Sequence, residues 1–215
     1  MDKRTGEAVR YLGYGNHAVD EDTLGLIEAS FSELSETAKK RIVYRIFELQ
    51  TPDDEQVIIG NYLVKSRNLA RNLQGCEKVV LLGATLGAGV DLLLRRYALT
   101  EVARAAVKQA CAAADLEEYL DEWQEGFKKK MAKEGWYLRP RFSPGYGDFS
   151  ILCQEQILRM LDAAKRIGLT MTDSYMLTPT KSVTALIGLG RENTLCGKGG
   201  CEECEKTDCV YRRST

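Results

Sequence analysis

Three residues, Pro179-Thr180-Lys181, separate two β-rich runs, LTMTDSYMLT at 169–178 and SVTALIGLG at 182–190. A parallel crossover needs about a dozen residues or more, so a link this short predicts that the two runs pair antiparallel. A purely parallel sheet is thereby excluded, and the other elements must be arranged around that constraint.

The remaining pattern supplies further strands and the helices to cover them. The first forty residues read as helix, with Asp20 capping a segment in which Leu24, Ile27, Phe31 and Leu34 recur at spacings of three and four. RIVYRIFEL (41–49) is β-branched and aromatic and predicts a strand packed on both faces, and EQVIIG (55–60) predicts a second, shorter one. Ser66 caps the helical RNLARNL, which Gly75 ends. KVVLLGATLGAGVDLLLRRY (78–97) reads as strand, glycine turn and helix. The longest helical pattern starts at Thr100, is interrupted only by Gly126 and ends by Gly135; a further helix, ILCQEQILRMLDAAKRIG, ends at Gly168. The expected class is α+β, a central, largely antiparallel sheet flanked by helices.

With 215 residues and a net charge of −1, the chain suits one or two domains and has no excess of Lys and Arg to replace the counterions of a nucleic acid. Lys128-Lys129-Lys130 falls inside a helical pattern and reads as a solvated face. No apolar run reaches the roughly 18 residues of a membrane span, and MDKRTGEAVR lacks the apolar core of a signal peptide. The expected compartment is the cytoplasm, where seven cysteines point to thiol, metal or redox chemistry rather than structural disulfides.

Three segments bear on chemistry. GATLGAG (83–89) has glycines that would let a backbone approach a phosphate, but the G-x-G-x-x-G spacing and a later acidic partner are missing, so it reads as a tight strand-to-helix turn. LRPRFSPGYGDFS (138–150) has no periodicity; it combines the planar cationic forks of Arg139 and Arg141, two stiffening prolines, the turn residue Gly145 and the aromatic Tyr146. Such a loop can hold a carboxylate beside a flat ring, and by its chemistry alone it reads equally as a rigid surface loop whose arginines pair with local acids. At the end of the chain, Cys196, Cys201, Cys204 and Cys209 form C-x4-C-x2-C-x4-C, a set able to close a tetrahedral zinc site, to ligate an iron–sulfur cluster, to serve thiol redox chemistry or to stand in a disordered tail. Cys76, Cys111 and Cys153 read as buried, inert thiols.

Arg141-Phe-Ser-Pro-Gly145-Tyr146 resembles the R-x-x-x-G-Y loop by which the reactivation domain of cobalamin-dependent methionine synthase holds S-adenosylmethionine. RYLGYGNHAVDEDTLGLIE resembles the opening of short, free-standing members of that family, LLGATLGAGVDLLLRRYAL their central strand and helix, LEEYLDEW their long helix, and the run ending in Pro179-x-x-Ser182-Val183 their closing hairpin. The likeness spans roughly residues 5–190 and sets aside a cysteine-rich tail, 191–215.

The resemblance implies a subunit that binds S-adenosylmethionine and supports reductive remethylation of cob(II)alamin carried by a separate corrinoid protein. One electron, from a flavodoxin- or ferredoxin-like donor, and the ligand's methyl group would regenerate methylcobalamin. By match, Arg141 would hold the methionyl carboxylate, and Gly145 and Tyr146 would line the adenosyl pocket. Asp148, Glu117 and Glu118 are candidates to receive the ligand's ammonium. The only histidine, His17, lacks the D-x-H-x-x-G setting that presents a histidine to cobalt, so the corrinoid must come from another chain. The rival reading is a non-catalytic metal-binding adaptor that docks a corrinoid protein through its cysteine tail.

Overall fold

The structure, a computed structural model, describes residues 1–14 and 17–192. The four tail cysteines therefore lie outside the described residues. The fold is α+β, with a six-stranded antiparallel sheet flanked by helices. The chain divides into two compact units. The first takes Met1–Lys40 and Leu86–Asp121, the second Arg41–Thr85 and the described residues from 122 onward.

The first unit is helical. Its N-terminal region is two helices rather than one, α1 (Lys3–Tyr11) and α2 (Glu21–Thr37). Each begins at an aspartate: Asp2 accepts from the Thr5 N–H, and Asp20 from the Thr23 N–H at 2.7 Å. The expected stripe of α2 buries Ile27, Phe31 and Leu34 but leaves Leu24 at the rim. Helix α4 (Ala88–Thr100) starts at Gly87, whose φ of +87° suits glycine alone. A Cβ at Gly89 would sit 3.0 Å from the Thr37 carbonyl, so the glycine turn serves close packing, as its sequence suggested. Helix α5 (Val102–Ala132), whose residues from 122 onward belong to the second unit, runs unbroken through Gly126, where nothing crowds the missing side chain.

The second unit holds the sheet. In chain order its strands are β1 (Arg41–Asp53), β2 (Gln56–Ile59), β3 (Tyr62–Lys65), β4 (Cys76–Thr85), β5 (Tyr137–Leu138) and, after β6 (Thr170–Met171) and β7 (Leu177–Thr178), β8 (Ser182–Gly190). The six-stranded order is β3-β2-β1-β4-β8-β5, every neighbour antiparallel. Helix α3 (Arg67–Asn72), capped by Ser66, links β3 to β4. Helices α6 (Cys153–Leu161) and α7 (Ala163–Ile167) cover one face of the sheet. Their apolar side chains Ile157, Leu158, Leu161 and Ile167 join Val79, Leu81 and Leu186 in one core.

Three local expectations need correction. The run 169–178 does not pair with 182–190; it folds on itself as the β6–β7 hairpin, and β8 pairs with β4 and β5 instead. Nine strand residues of β8 find a longer partner in β4 than two residues of β7 could offer. Strand β1 is covered only in part on its second face: Ile46 is exposed, and Tyr44, although it meets Trp123 and Phe127, stays 37 % exposed. The segment 151–168 is two helices, broken where Asp162 turns left-handed at φ +53°.

A candidate ligand site at the sheet edge

The segment that follows α5 runs along the free edge of β8. Tyr137 and Leu138 pair with Gly190 and Leu189, the Arg139 N–H donates to the Gly188 carbonyl at 2.8 Å, and Phe142 exchanges both backbone bonds with Leu186. From Arg139 to Phe142 the chain advances three residues while β8 advances two from Gly188 to Leu186. The edge thus carries one extra residue, a bulge, at Pro140, which has no N–H to give to a ladder.

This bulge separates the two arginines. On a regular strand residues two apart point to the same face. Here Arg139 turns towards Gly188, where an added Cβ would lie 3.0 Å from its Cγ and 2.6 Å from Cys76 Sγ. Arg139 is 6 % exposed and donates from Nη2 to the Gln74 carbonyl at 3.1 Å. It ties the edge to the turn before β4 and is not the surface fork expected from sequence. Arg141 goes to the other side, half-buried, with Nη1 donating to Gln124 Oε1 of α5 at 2.9 Å.

Beyond Phe142 the chain closes a tight turn. The Gly145 N–H donates to the Phe149 carbonyl at 2.7 Å, and the Phe149 N–H returns a bond to the Tyr146 carbonyl at 3.0 Å. Gly145 has φ +92° and Gly147 φ +54°, both left-handed. A Cβ on Gly147 would meet the Asn68 amide at 2.0 Å, so this turn lies directly on α3. Phe149, 1 % exposed, anchors it from below beside Phe142, ring centroids 6.1 Å apart. Tyr146 stays 67 % exposed, with Ile151 and Leu152 also exposed just beyond. The three residues expected to form the site, Arg141, Gly145 and Tyr146, are thus held on one anchored segment.

Asp148 latches the turn to α3. Its Oδ1 accepts from the Ser66 hydroxyl at 2.5 Å and the Asn68 N–H at 3.1 Å, and its Oδ2 from the Arg67 N–H at 2.8 Å. The Ser66 hydroxyl and these backbone donors hold the carboxyl below its ordinary range. Bound in this way to a helix N-terminus, Asp148 is not the free acceptor for an ammonium that the sequence suggested. Glu117 and Glu118, the other candidates, belong to the first unit, where Glu118 pairs with Arg4 at 3.5 Å.

Sequence reasoning missed the residues behind Arg141. Trp123 stacks on Phe127 at 4.9 Å and 11°, and Tyr44 of β1 meets them at 5.3 and 5.2 Å. The spacing of Trp123 and Phe127, one helical turn, was the available signal. Also unforeseen is the buried Gln154, whose amide donates to the Tyr175 carbonyl and accepts from Thr184 at 3.1 Å, fixing α6 against β8. Of the cysteines, Cys111 is buried as expected, but Cys76 and Cys153 are half-buried. Among the described residues no group of three His, Cys, Asp or Glu side chains could hold a metal ion, and no helix is long and apolar enough to cross a membrane.

The family model for the vitamin B12 dependent methionine synthase activation domain matches residues 96–213, more than half of the chain. The crystal structure of the MetH reactivation domain bound to AdoHcy is similar, with a TM-score of 0.60 over 86 % of this chain and 75 % of that one. The two share 14 % identity, so this likeness bears on the fold. No curated protein sequence matches.

Proposed function

The chain belongs to the vitamin B12-dependent methionine synthase activation-domain family, and from that premise we propose that it is a reactivation subunit that binds S-adenosylmethionine and acts in trans on a corrinoid protein. The observation that carries this reading is Arg141, held at the bulged edge of β8 beside the Gly145-Tyr146 turn, inside the segment the family model covers. AdoHcy, the ligand of the similar MetH domain, is the demethylated product of the same compound.

The chain's own residues divide the work. The Arg141 guanidinium grips the ligand's carboxylate. The backbone of the Gly145 turn, which has no side chain to keep a ligand away, lines the adenosyl moiety, with the Tyr146 ring beside it. Exposed Tyr146, Ile151 and Leu152 offer apolar surface on which the corrinoid partner would seat. A corrinoid on the partner, reduced by one electron from a flavodoxin- or ferredoxin-like donor, would supply the acceptor for the methyl cation equivalent of the sulfonium, with S-adenosylhomocysteine as the leaving product. Coupling the unfavourable reduction to this downhill transfer draws it forward. Cys196, Cys201, Cys204 and Cys209 bind zinc or an iron–sulfur cluster in this reading, as partner dock or electron relay.

Calorimetric titration with S-adenosylmethionine tests the proposal. Wild type is expected to bind and Arg141→Ala to bind at least about tenfold more weakly, the scale of a lost charge-assisted pair. Absence of wild-type binding would leave the adaptor as the better account. Metal analysis with a visible spectrum separates the tail's two roles: a colourless protein holding one zinc removes the relay.

A further inference from the structure

Helix α3 and its cap open with three polar side chains, and one of them is left uncommitted. Ser66 accepts from the Leu69 N–H at 3.0 Å and donates to Asp148, and Arg67 pairs with Glu55. The exposed Asn68 amide has no hydrogen-bond partner among the described residues, although the Asn68 backbone N–H is held by Asp148 at 3.1 Å. That amide lies across the turn proposed to line the adenosyl moiety. Its nitrogen stands 2.0 Å, and its Cγ 3.0 Å, from where a Cβ on Gly147 would be, an approach that only glycine permits. Gly147 directly follows the exposed Tyr146. Because Asp148 bonds Ser66, Arg67 and Asn68 at once, the amide and the turn are tied into one piece. An amide fixed beside a binding turn loses little freedom when it meets a ligand.

An asparagine amide offers an acceptor and donors side by side. Adenine offers the complement on one edge, the N6 amino donor beside the N7 acceptor, and asparagine meets that edge with two parallel hydrogen bonds. We infer that Asn68 is a specificity-determining residue for the base of the proposed ligand: its Oδ1 accepts from the adenine N6–H and its Nδ2 donates to N7. This rests on the proposed function and deepens it. The Tyr146 ring, like any aromatic face, takes every purine alike, so a group that tells one base from another has to come from elsewhere. Helix α3 supplies it, and Gly147 then has a second use besides its left-handed φ of +54°: its missing Cβ lets the amide reach the turn.

Calorimetric titration of the full chain with three product analogues tests the assignment. They are S-adenosylhomocysteine; S-inosylhomocysteine, in which a carbonyl replaces the N6 amine; and the 7-deaza form of S-adenosylhomocysteine, in which a C–H replaces N7. Wild type is expected to bind the inosyl compound about tenfold or more weakly than the adenosyl one, and the 7-deaza compound about threefold or more weakly, the scale of a broken bidentate pair. Asn68→Ala, which keeps the backbone N–H that Asp148 holds, should bind all three within about twofold of one another. Asn68→Asp keeps the acceptor and loses the donor, so it should stop distinguishing the 7-deaza compound while still rejecting the inosyl one. A wild type that binds the three alike, or an Asn68→Ala variant that keeps the wild-type order of preference, overturns the inference and leaves the function standing. An Asn68→Ala loss equal for all three does the same, being the mark of a residue that only shapes the turn. Binding of S-adenosylmethionine with none of the three also overturns it. A wild type that binds no adenosyl ligand removes the proposed function and this inference with it.

Discussion

Arg139 and Arg141 carry the same charge two residues apart, so only their surroundings can give them different work. Arg139 is buried on the Gln74 carbonyl, and Arg141 half-buried on Gln124. Arg139→Ala should therefore lower stability by about 1.5–3 kcal/mol, the range for a buried hydrogen bond to a charged group. In denaturant unfolding that loss appears as a lower midpoint, while Arg141→Ala leaves the midpoint near wild type and acts on ligand affinity. Sequence could nominate both residues, because the residue type and the nearby prolines are legible in one dimension. It could not choose between them, because the choice depends on the one-residue bulge opposite Gly188 and Leu186. The cysteines behave alike in this respect. Burial pushes the Cys111 thiol up to about 12, and its Sγ–H points at the Ile27 carbonyl, 3.8 Å away. Alkylation at pH 8 followed by peptide mapping should label Cys76 and Cys153 in the native protein and reach Cys111 only after unfolding.

At the scale of elements, the turn 145–149 and helix α3 form one latch. Ser66 both caps α3 through the Leu69 N–H and donates to Asp148. Ser66→Ala is expected to cost about 1–2 kcal/mol, the upper range for a lost N-cap, and thermal unfolding reads it directly. Gly147→Ala should free the turn, since a left-handed alanine there collides with Asn68, and ligand affinity should fall while the sheet stays folded. Because the Asp148 carboxyl is held low, the latch is closed at and above the ordinary value of 3.8 and opens only as pH falls through the depressed one. Element reading from sequence succeeded where a local signal existed: the caps Asp20 and Ser66, the turn at Gly87 and the helix end at Gly168 are all present. It failed at the closing hairpin, where local spacing argued for pairing between neighbours. Strand pairing is decided by the best available ladder, and β8 found a longer one in β4, far away in sequence.

At the scale of the whole molecule, each unit has its own source of stability. The sheet unit rests on the apolar core of β1, β4 and β8 under α6 and α7. The helical unit adds a buried ionic group: Lys108, its side chain 3 % exposed, pairs with Glu33 at 3.0 Å and lies 4.3 Å over the Tyr97 ring, while the Tyr97 hydroxyl donates to the same carboxylate at 3.1 Å. Burial alone would raise the Glu33 carboxyl, but the hydrogen bonds from Lys108 and Tyr97 outweigh it and the net shift is downward. A carboxyl lowered on folding stabilises above its ordinary value, about 4.5, and loses that contribution as pH falls through the lowered one. Glu33→Gln should therefore cost about 1–2 kcal/mol at pH 7, less than for a fully buried pair because Glu33 is partly exposed, and chemical unfolding across pH should show the gap to wild type closing in acid. By itself the sequence determined the α+β class, most helix boundaries and the segment holding Arg141, Gly145 and Tyr146, since periodicity, caps and turn residues act over a few positions. Only the tertiary structure decided which arginine faces Gln124, which strand β8 accepts and where Asp148 spends its charge. Those outcomes are competitions among partners distant in the chain, and burial and hydrogen-bond geometry settle them after the chain has folded back on itself.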